Sequence, residues 1–364
     1  MATANRAALS RLLQASVGQV APAIAVQVRQ GGEIIHDETA GCVADTLFDL
    51  ASLTKLWTVT AALRLAAAGK LTLDQPVSDW LPDFTGERPI RPYENPLQPG
   101  EVVRVTQNEG VEDAGRVTLR QLLIHSSGLP AWRPIYLQPA GERRRFVLDT
   151  FFSYPTGTRV VYSDLGLILL AWALEQAAGQ PLAAAIARLV TEPLRQDTTA
   201  YGPITPERTV PTEFCRWRGR RIRGEVHDEN AYSLDGVAGH AGLFAAVGDV
   251  AELGQAWLDV LQGQSDFLPV ELAREAIRLQ AEDGPVRRGL GWALWSPSPE
   301  SASHPLSQEA FGHTGFTGTS LYIDPARELV IACLTNEVYN GRENRLIGAF
   351  RLALHETVCE EIGN

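Results

Sequence analysis

Phe48-Asp49-Leu50-Ala51-Ser52-Leu53-Thr54-Lys55-Leu56-Trp57 is the stretch on which the reading of this chain turns. Leu53, Leu56, Trp57, Thr60 and Leu63 recur at helical spacing, and Gly69 stands where a left-handed stop is expected. Ser52 and Lys55 are three apart and share one face of the first turn. The start of a helix points backbone N–H groups outward and favours negative charge. A hydroxyl placed there beside an amine that can lose its proton is arranged for nucleophilic attack. Four residues alone carry little weight, since Ser52 read as an ordinary N-cap and Lys55 as a surface charge fit them equally well.

Composition sharpens the reading. Of 32 Lys+Arg, only Lys55 and Lys70 are lysines. Arginine serves for salt bridges and solubility but cannot act as a base, whereas lysine can once burial and neighbours lower its pKa. A lysine kept three residues after a serine is therefore informative. Lys70, just past Gly69, is an ordinary cation at a helix C-terminus.

The chain has 364 residues, 45% hydrophobic and 21% charged, ordinary values for a globular protein with a large core. A net charge of −11 argues against a nucleic-acid surface. The cluster Arg216, Arg218, Arg220, Arg221, Arg223 reads as an exposed loop or strand edge. Cys42, Cys215, Cys333 and Cys359 fit neither a metal spacing nor a disulfide framework and are expected to be reduced and mostly buried. The first residues lead into an amphipathic helix rather than a signal peptide, and the longest apolar run, Leu165 to Leu174, is too short for a bilayer. The expected location is the cytosol, with no membrane partner.

Strands are expected near 23–28 and 33–36, joined at Gly31-Gly32, and again late in the chain at 289–295, 311–314, 319–323 and 329–334. Between them lie helices: a capping box at Thr118-Leu119-Arg120-Gln121, a long apolar helix from Leu165 to Ala178 closed by Gly179, and others near 182–191 and 249–263. A last helix is expected near 342–360. Residues 85–116, rich in proline and glycine, read either as a lid or as a disordered insertion. Strands at both ends thus bracket a mostly helical middle. The expected division is a sheet domain built from 1–56 and 285–364, and a helical subdomain from 57–284 carrying the insertion, with the site between them.

Three further groups carry chemistry. Tyr162-Ser163-Asp164 sits where an irregular segment enters a helix, so Tyr162 can relay a proton. His313-Thr314-Gly315 ends a strand; Gly315 would let a substrate lie alongside, and an N–H just after it could form half of an oxyanion hole. His227-Asp228-Glu229-Asn230 has metal-ligand residue types, but consecutive side chains diverge and at most two could reach one ion. Ala238-Gly239-His240-Ala241-Gly242 reads as close packing. No metal and no cofactor is expected; phosphate-loop, dinucleotide and G-x-S-x-G patterns do not occur.

In their order, Ser52-Leu-Thr-Lys55, Tyr162-Ser-Asp164 and His313-Thr-Gly315 resemble the serine β-lactamase and penicillin-binding-protein superfamily, in particular its class C-like branch of cephalosporinases, DD-peptidases, D-aminopeptidases and carboxylesterases. The flanks 122–130 and 236–243 are similar too. The resemblance implies an α+β fold of the β-lactamase/transpeptidase type, an antiparallel sheet flanked by helices plus a mostly helical subdomain. It implies that Ser52 is acylated, that Lys55 and Tyr162 form the general-base pair, and that the amides of Ser52 and Phe316 form the oxyanion hole. Departures from the class C pattern point away from β-lactams. Trp132 and Asp164 stand at the Gln and Asn positions that read a drug's acylamide, and His313 stands where many members have lysine. An aromatic wall at Trp132 suits an apolar acyl or alcohol group. The expectation is a serine acyl hydrolase, an enzyme acting on a small ester or amide, with β-lactam hydrolysis open to it as a side activity. The alternatives are a true class C-type β-lactamase or DD-peptidase, and a catalytically silent binding module of the same fold. Oligomeric state is not legible.

Overall fold

The computed structural model describes residues 2–363 apart from 99 and 344, and of residues 2–6 the backbone alone. Period-two alternation at the two ends of the chain builds its main sheet. Ile24, Val26 and Val28 face one side and Ala23 and Ala25 the other; Leu329, Ile331 and Cys333 alternate likewise with Val330, Ala332 and Leu334. The strands Ile24–Gln30 and Leu329–Thr335 pair antiparallel, Ile24 opposite Thr335 and Gln30 opposite Leu329. From one edge to the other the sheet runs Ala281–Asp283, Val286–Arg288, Ala293–Leu294, Phe311–Thr314, Ser320–Asp324, Leu329–Thr335, Ile24–Gln30 and Glu33–Ala40.

Both faces are apolar, so both are covered. Helices Ala2–Ser16 and Ile347–Ile362 lay Leu9, Leu13, Phe350, Leu354 and Val358 on one face. Helix Val247–Leu261 lies on the other, close enough that a Cβ on Gly254 would stand 2.6 Å from Val330. Helices Thr54–Ala67, Leu119–Leu123, Asp164–Ala178 and Leu182–Ile186 form the remaining core beyond that face. Local signals explain their ends. Thr118 and Gln121 make both bonds of a capping box. Ser163 caps Asp164–Ala178, and Gly179 closes it at φ +67°.

Several elements depart from expectation. The strand expected at 289–295 shortens to Ala293–Leu294, because Gly291 turns at φ +75° and Gly289 lies against the carbonyl of Ala276. The last helix starts at Ile347, and the helix expected at 182–191 ends in a π turn over Ala187–Thr191. The 85–116 insertion folds as two small pairings, Glu87–Pro89 with Val111–Asp113 and Tyr93–Glu94 with Val102–Val103. The arginine cluster lies on and beside an exposed hairpin, Phe214–Cys215 with Arg220–Arg221, as read; some of its guanidiniums hold neighbouring carbonyls, Arg218 that of Val226, Arg221 those of Thr212 and Tyr339, Arg223 that of Thr209. The four cysteines are unpaired. Among the described residues no helix is long and apolar enough to cross a membrane.

The glycines of 238–242 do allow close packing. A Cβ on Gly239 would stand 2.2 Å from the Leu167 carbonyl oxygen and 2.6 Å from the Ala171 Cβ. Gly239→Ala is therefore expected to cost ~1–3 kcal/mol through overpacking, read as a lower urea midpoint at unchanged slope. Gly348→Ala, in a helix with open space around it, should instead gain up to ~1 kcal/mol.

Candidate active site

Residues 48–51 are clamped on three sides. Phe48–Asp49 pairs with Phe244–Ala245. The Asp49 carbonyl accepts from the Thr317 hydroxyl at 2.7 Å, and the Leu50 carbonyl from that of Thr319 at 2.9 Å. The buried Asp49 carboxylate accepts from the amides of Ala51 at 2.8 Å and His227 at 2.5 Å. The clamp holds Ala51 at φ +47°, where residues other than glycine seldom sit. The backbone turns sharply, and Ser52 emerges on a 3₁₀ turn, Ala51–Leu53, just ahead of helix Thr54–Ala67. Leu53 holds the N-cap position of that helix, and Ser52 does not cap it.

The Ser52 Oγ is engaged by Lys55 instead, whose Nζ donates to it at 2.8 Å. The same Nζ donates to the His240 carbonyl at 3.2 Å and stands 2.8 Å from Asp164 Oδ1. Lys55 is wholly buried. Burial by itself would depress its pKa, but the Asp164 carboxylate and the Tyr162 oxygen outweigh it and hold the pKa above the ordinary lysine value. The sequence reading expected an amine ready to lose its proton. The resting group is an ammonium, because Asp164 is its counter-ion. Asp164 faces the lysine rather than serving as a free reader of substrate amides.

Tyr162 lies with its ring centroid 4.7 Å from Nζ. Two histidine rings flank it, His125 at 4.6 Å and His313 at 5.8 Å. His125 Nδ1 accepts from the Ser163 amide at 3.1 Å, which leaves the proton on Nε2. His313 Nδ1 donates to the Thr314 carbonyl at 2.8 Å, which leaves Nε2 as a bare acceptor. Both Nε2 atoms are buried without a hydrogen-bond partner among the described residues, and the buried Tyr162 hydroxyl has the Lys55 ammonium for company. Burial, then the charges of Arg288 and Lys55, push both imidazoles well below their ordinary pKa, so both are neutral. His125 sits at φ +58°, and its own carbonyl accepts from Tyr154 and Val161.

Strand Phe311–Thr314 brings Thr314, Gly315 and Phe316 beside the serine. A Cβ on Gly315 would stand 2.1 Å from Thr319 Oγ1 and 2.4 Å from the Leu50 carbonyl oxygen. The missing side chain thus makes room for the Ser52 segment, not for a substrate as the sequence reading held. The Phe316 carbonyl is tied by Arg345, whose guanidinium covers the Phe316 ring at 4.5 Å. The Phe316 N–H has no acceptor among the described residues, and the Ser52 N–H sits in a first turn that offers none.

Two cavities meet at Ser52. One, of about 510 Å³, is walled by Trp132, Pro134, Tyr136 and Leu137, and roofed by Glu94 to Leu97 of the insertion. This part of the insertion thus lies over the site. The other, of about 340 Å³, is lined by Tyr162, His313, Arg288, Arg345 and Arg351. Four residues at the site carried another role or none in the sequence: Asp228 as a metal-ligand type, His240 in a packing loop, His125 and Arg288 with no role. Asp228 Oδ1 and His240 Nε2 lie 3.0 Å apart. With Asp164 they put ligand-type atoms within 4.8 Å of one another, where the Lys55 ammonium already supplies positive charge. His227 turns away to Glu213 at 2.8 Å. A lone histidine in an apolar run, at 125, was the one signal available.

The neutral histidines make stability pH-dependent. In the unfolded chain each takes up a proton near the ordinary pKa of about 6.5. Below that pH the unfolded state binds more protons, so the contribution present above it is lost as pH falls. The melting temperature is expected to drop between about pH 7 and pH 5, with His313→Asn flattening the slope by about one proton. A slope unchanged in the variant would show that His313 is charged in the folded state.

A family model described as Beta-lactamase matches residues 9–355. The chain is 33% identical over 336 residues to N-acetylmuramyl-L-alanine amidase of Bacillus subtilis, covering 85% of this chain and 71% of the relative. It is 32% identical over 387 residues to Esterase EstB of Burkholderia gladioli, covering 92% and 90%. Among solved structures, EstCE1, a hydrolase with promiscuous acyltransferase activity, superposes with a TM-score of 0.73 at 20% identity, over 97% of this chain and 98% of the other. Simvastatin Synthase (LovD) from Aspergillus terreus gives 0.74 at 17% over the same shares. With a family match spanning nearly the whole chain and the antiparallel sheet flanked by helices that its solved neighbours share, this protein belongs to the beta-lactamase family.

Proposed function

We propose that this protein hydrolyses a small ester or amide through an acyl-enzyme on Ser52. The observation that carries the reading is the Lys55 Nζ, 2.8 Å both from Ser52 Oγ and from Asp164 Oδ1. An ammonium cannot accept a proton, so the reactive form pairs it with a Tyr162 phenolate as the base. The Ser52 proton passes to Tyr162 as Oγ bonds to the carbonyl carbon. The amides of Ser52 and Phe316 hold the oxyanion. Collapse breaks the bond to the leaving group, which takes the proton from Tyr162. A water then attacks the acyl carbon, gives its proton to the same pair, and Ser52 leaves with it. The apolar wall at Trp132 receives the acyl or alcohol part. The relatives named amidase and esterase support this range of substrates.

Ser52→Ala is expected to abolish turnover and labelling by a fluorophosphonate with the fold unchanged by circular dichroism. An adduct mapped by mass spectrometry to another serine would sink the assignment. Tyr162→Phe is expected to slow acylation by ~10²–10⁴-fold.

One observation favours a narrower reading. The half-buried Arg288 lines the cavity beside Ser52, its guanidinium 5.3 Å from the Tyr162 ring and with no hydrogen bond or ion pair among the described residues. A guanidinium so placed suits a carboxylate on the substrate, as a peptidase or β-lactam substrate would supply. Kinetics on a neutral nitrophenyl ester and on a chromogenic cephalosporin, which carries a carboxylate, separate the two. If Arg288 reads that carboxylate, Arg288→Gln shifts the ratio of kcat/KM values about tenfold or more toward the neutral ester. An unshifted ratio leaves the arginine a structural group and the neutral ester the better model of the substrate.

A further inference from the structure

A row of aromatic rings leads away from the nucleophile. Trp132 and Tyr136 line the cavity that holds Ser52, with centroids 6.3 Å apart. Tyr136 meets Trp217 edge-on at 4.9 Å, and Trp217 meets Tyr232 edge-on at 6.0 Å. Trp217 and Tyr232 line a separate cavity of about 470 Å³. The Tyr136–Trp217 pair therefore contributes one ring to each cavity.

The outer rings are open, Trp217 at 42% and Tyr232 at 36% exposure. They are also fixed. Trp217 rides on the arginine-rich hairpin, where Arg218 donates to the Val226 carbonyl at 2.7 Å and lies 4.6 Å over the Tyr232 ring. Asn230 accepts from the Tyr136 amide at 3.1 Å and donates to the Arg133 carbonyl at 2.9 Å, binding the two ring-bearing segments together. Large rings held rigid yet left in water forgo burial that the core would reward, which is the composition of a recognition surface.

The other lining groups decide what is recognised. Glu225, Asp235 and Arg143 share the cavity with the rings; Glu225 is paired with Arg220, which leaves Asp235 and the open nitrogen of Arg143 as the groups most available to a ligand. A fatty chain would bury these charges against methylenes without hydrogen bonds. An anionic ligand would meet two carboxylates. A neutral sugar ring satisfies both kinds of surface: its C–H face lies on an aromatic ring, and its hydroxyls donate to the carboxylates and accept from the guanidinium. Arg143 uses one edge on the carbonyls of Gln138 and Ser233 and keeps its second terminal nitrogen without a partner among the described residues. We propose that the Trp217–Tyr232 cavity is a saccharide subsite, holding a neutral sugar unit of a substrate whose scissile bond lies at Ser52, with Trp132 and Tyr136 lining the path between.

Binding here does not require Ser52 to react, so the test stands apart from the acyl-enzyme reading. Full-length Ser52→Ala protein is titrated with chitotriose, with maltotriose and with decanoate, following tryptophan fluorescence and heat. At least one trisaccharide should bind saturably. Trp217→Ala in the same background should weaken that binding by about tenfold, the scale of one lost aromatic contact, while Trp217→Phe restores most of it. Should Trp217→Ala fail to fold by circular dichroism, the exposed Asp235, as Asp235→Asn, which tolerates its left-handed backbone at φ +61°, takes its place with a loss expected. No saturable binding of either trisaccharide, binding indifferent to these substitutions, or decanoate binding with the same sensitivity would overturn the proposal.

Discussion

A buried ammonium is costly unless an anion stands beside it, and Lys55 has Asp164 at 2.8 Å. The rest of the site follows from this pair. Asp164 is the first residue of its helix, where the N-terminal dipole and the Ser163 cap favour a carboxylate. The paired lysine can then reach the Ser52 hydroxyl and the His240 carbonyl at once, which ties three separate segments of chain to one nitrogen. The charge that remains unspent is directed at Tyr162. Removing the carboxylate would leave a cation in a cavity wall with backbone and hydroxyl partners alone.

Around that pair, polar atoms are buried that find no partner among the described residues: His125 Nε2, His313 Nε2 and His240 Nδ1. Each such atom forfeits its hydration. Others lie elsewhere in the core, Trp292 Nε1 and His355 Nε2 among them, so the site bears one part of a wider cost. The backbone shows the same tension, with Ala51 and His125 both in the left-handed region. Stability given up there is recovered in the sheet, where both faces of the central strands are covered by helices.

What was legible in the sequence was local. Two lysines among thirty arginines drew attention to Lys55 before any fold was known. The capping box at Thr118 and the stop at Gly179 are decided within a few residues and came out as read. What depended on distant partners did not. Gly315 could not disclose that its empty side faces Leu50, since that contact joins opposite ends of the chain. Asp164 could not disclose that it pairs with Lys55. Asp228 and His240 were divided between a weak metal pattern and a packing loop, and only the fold brings them together. Arg288 was one arginine in thirty; its place beside Tyr162 and Ser52 becomes visible only in three dimensions.

The pairing of Ile24–Gln30 with Leu329–Thr335 also sets a timetable. On the ribosome the first hairpin emerges early and must wait, its apolar edge unpaired, until almost the whole chain has been made. Thr317 and Thr319, which clamp the serine segment, arrive in the same late stretch. A nascent chain therefore carries Ser52 and Lys55 long before the contacts that hold them in place exist. The assembled site is withheld from the crowded exit of the ribosome by nothing more than the order in which its strands are synthesised.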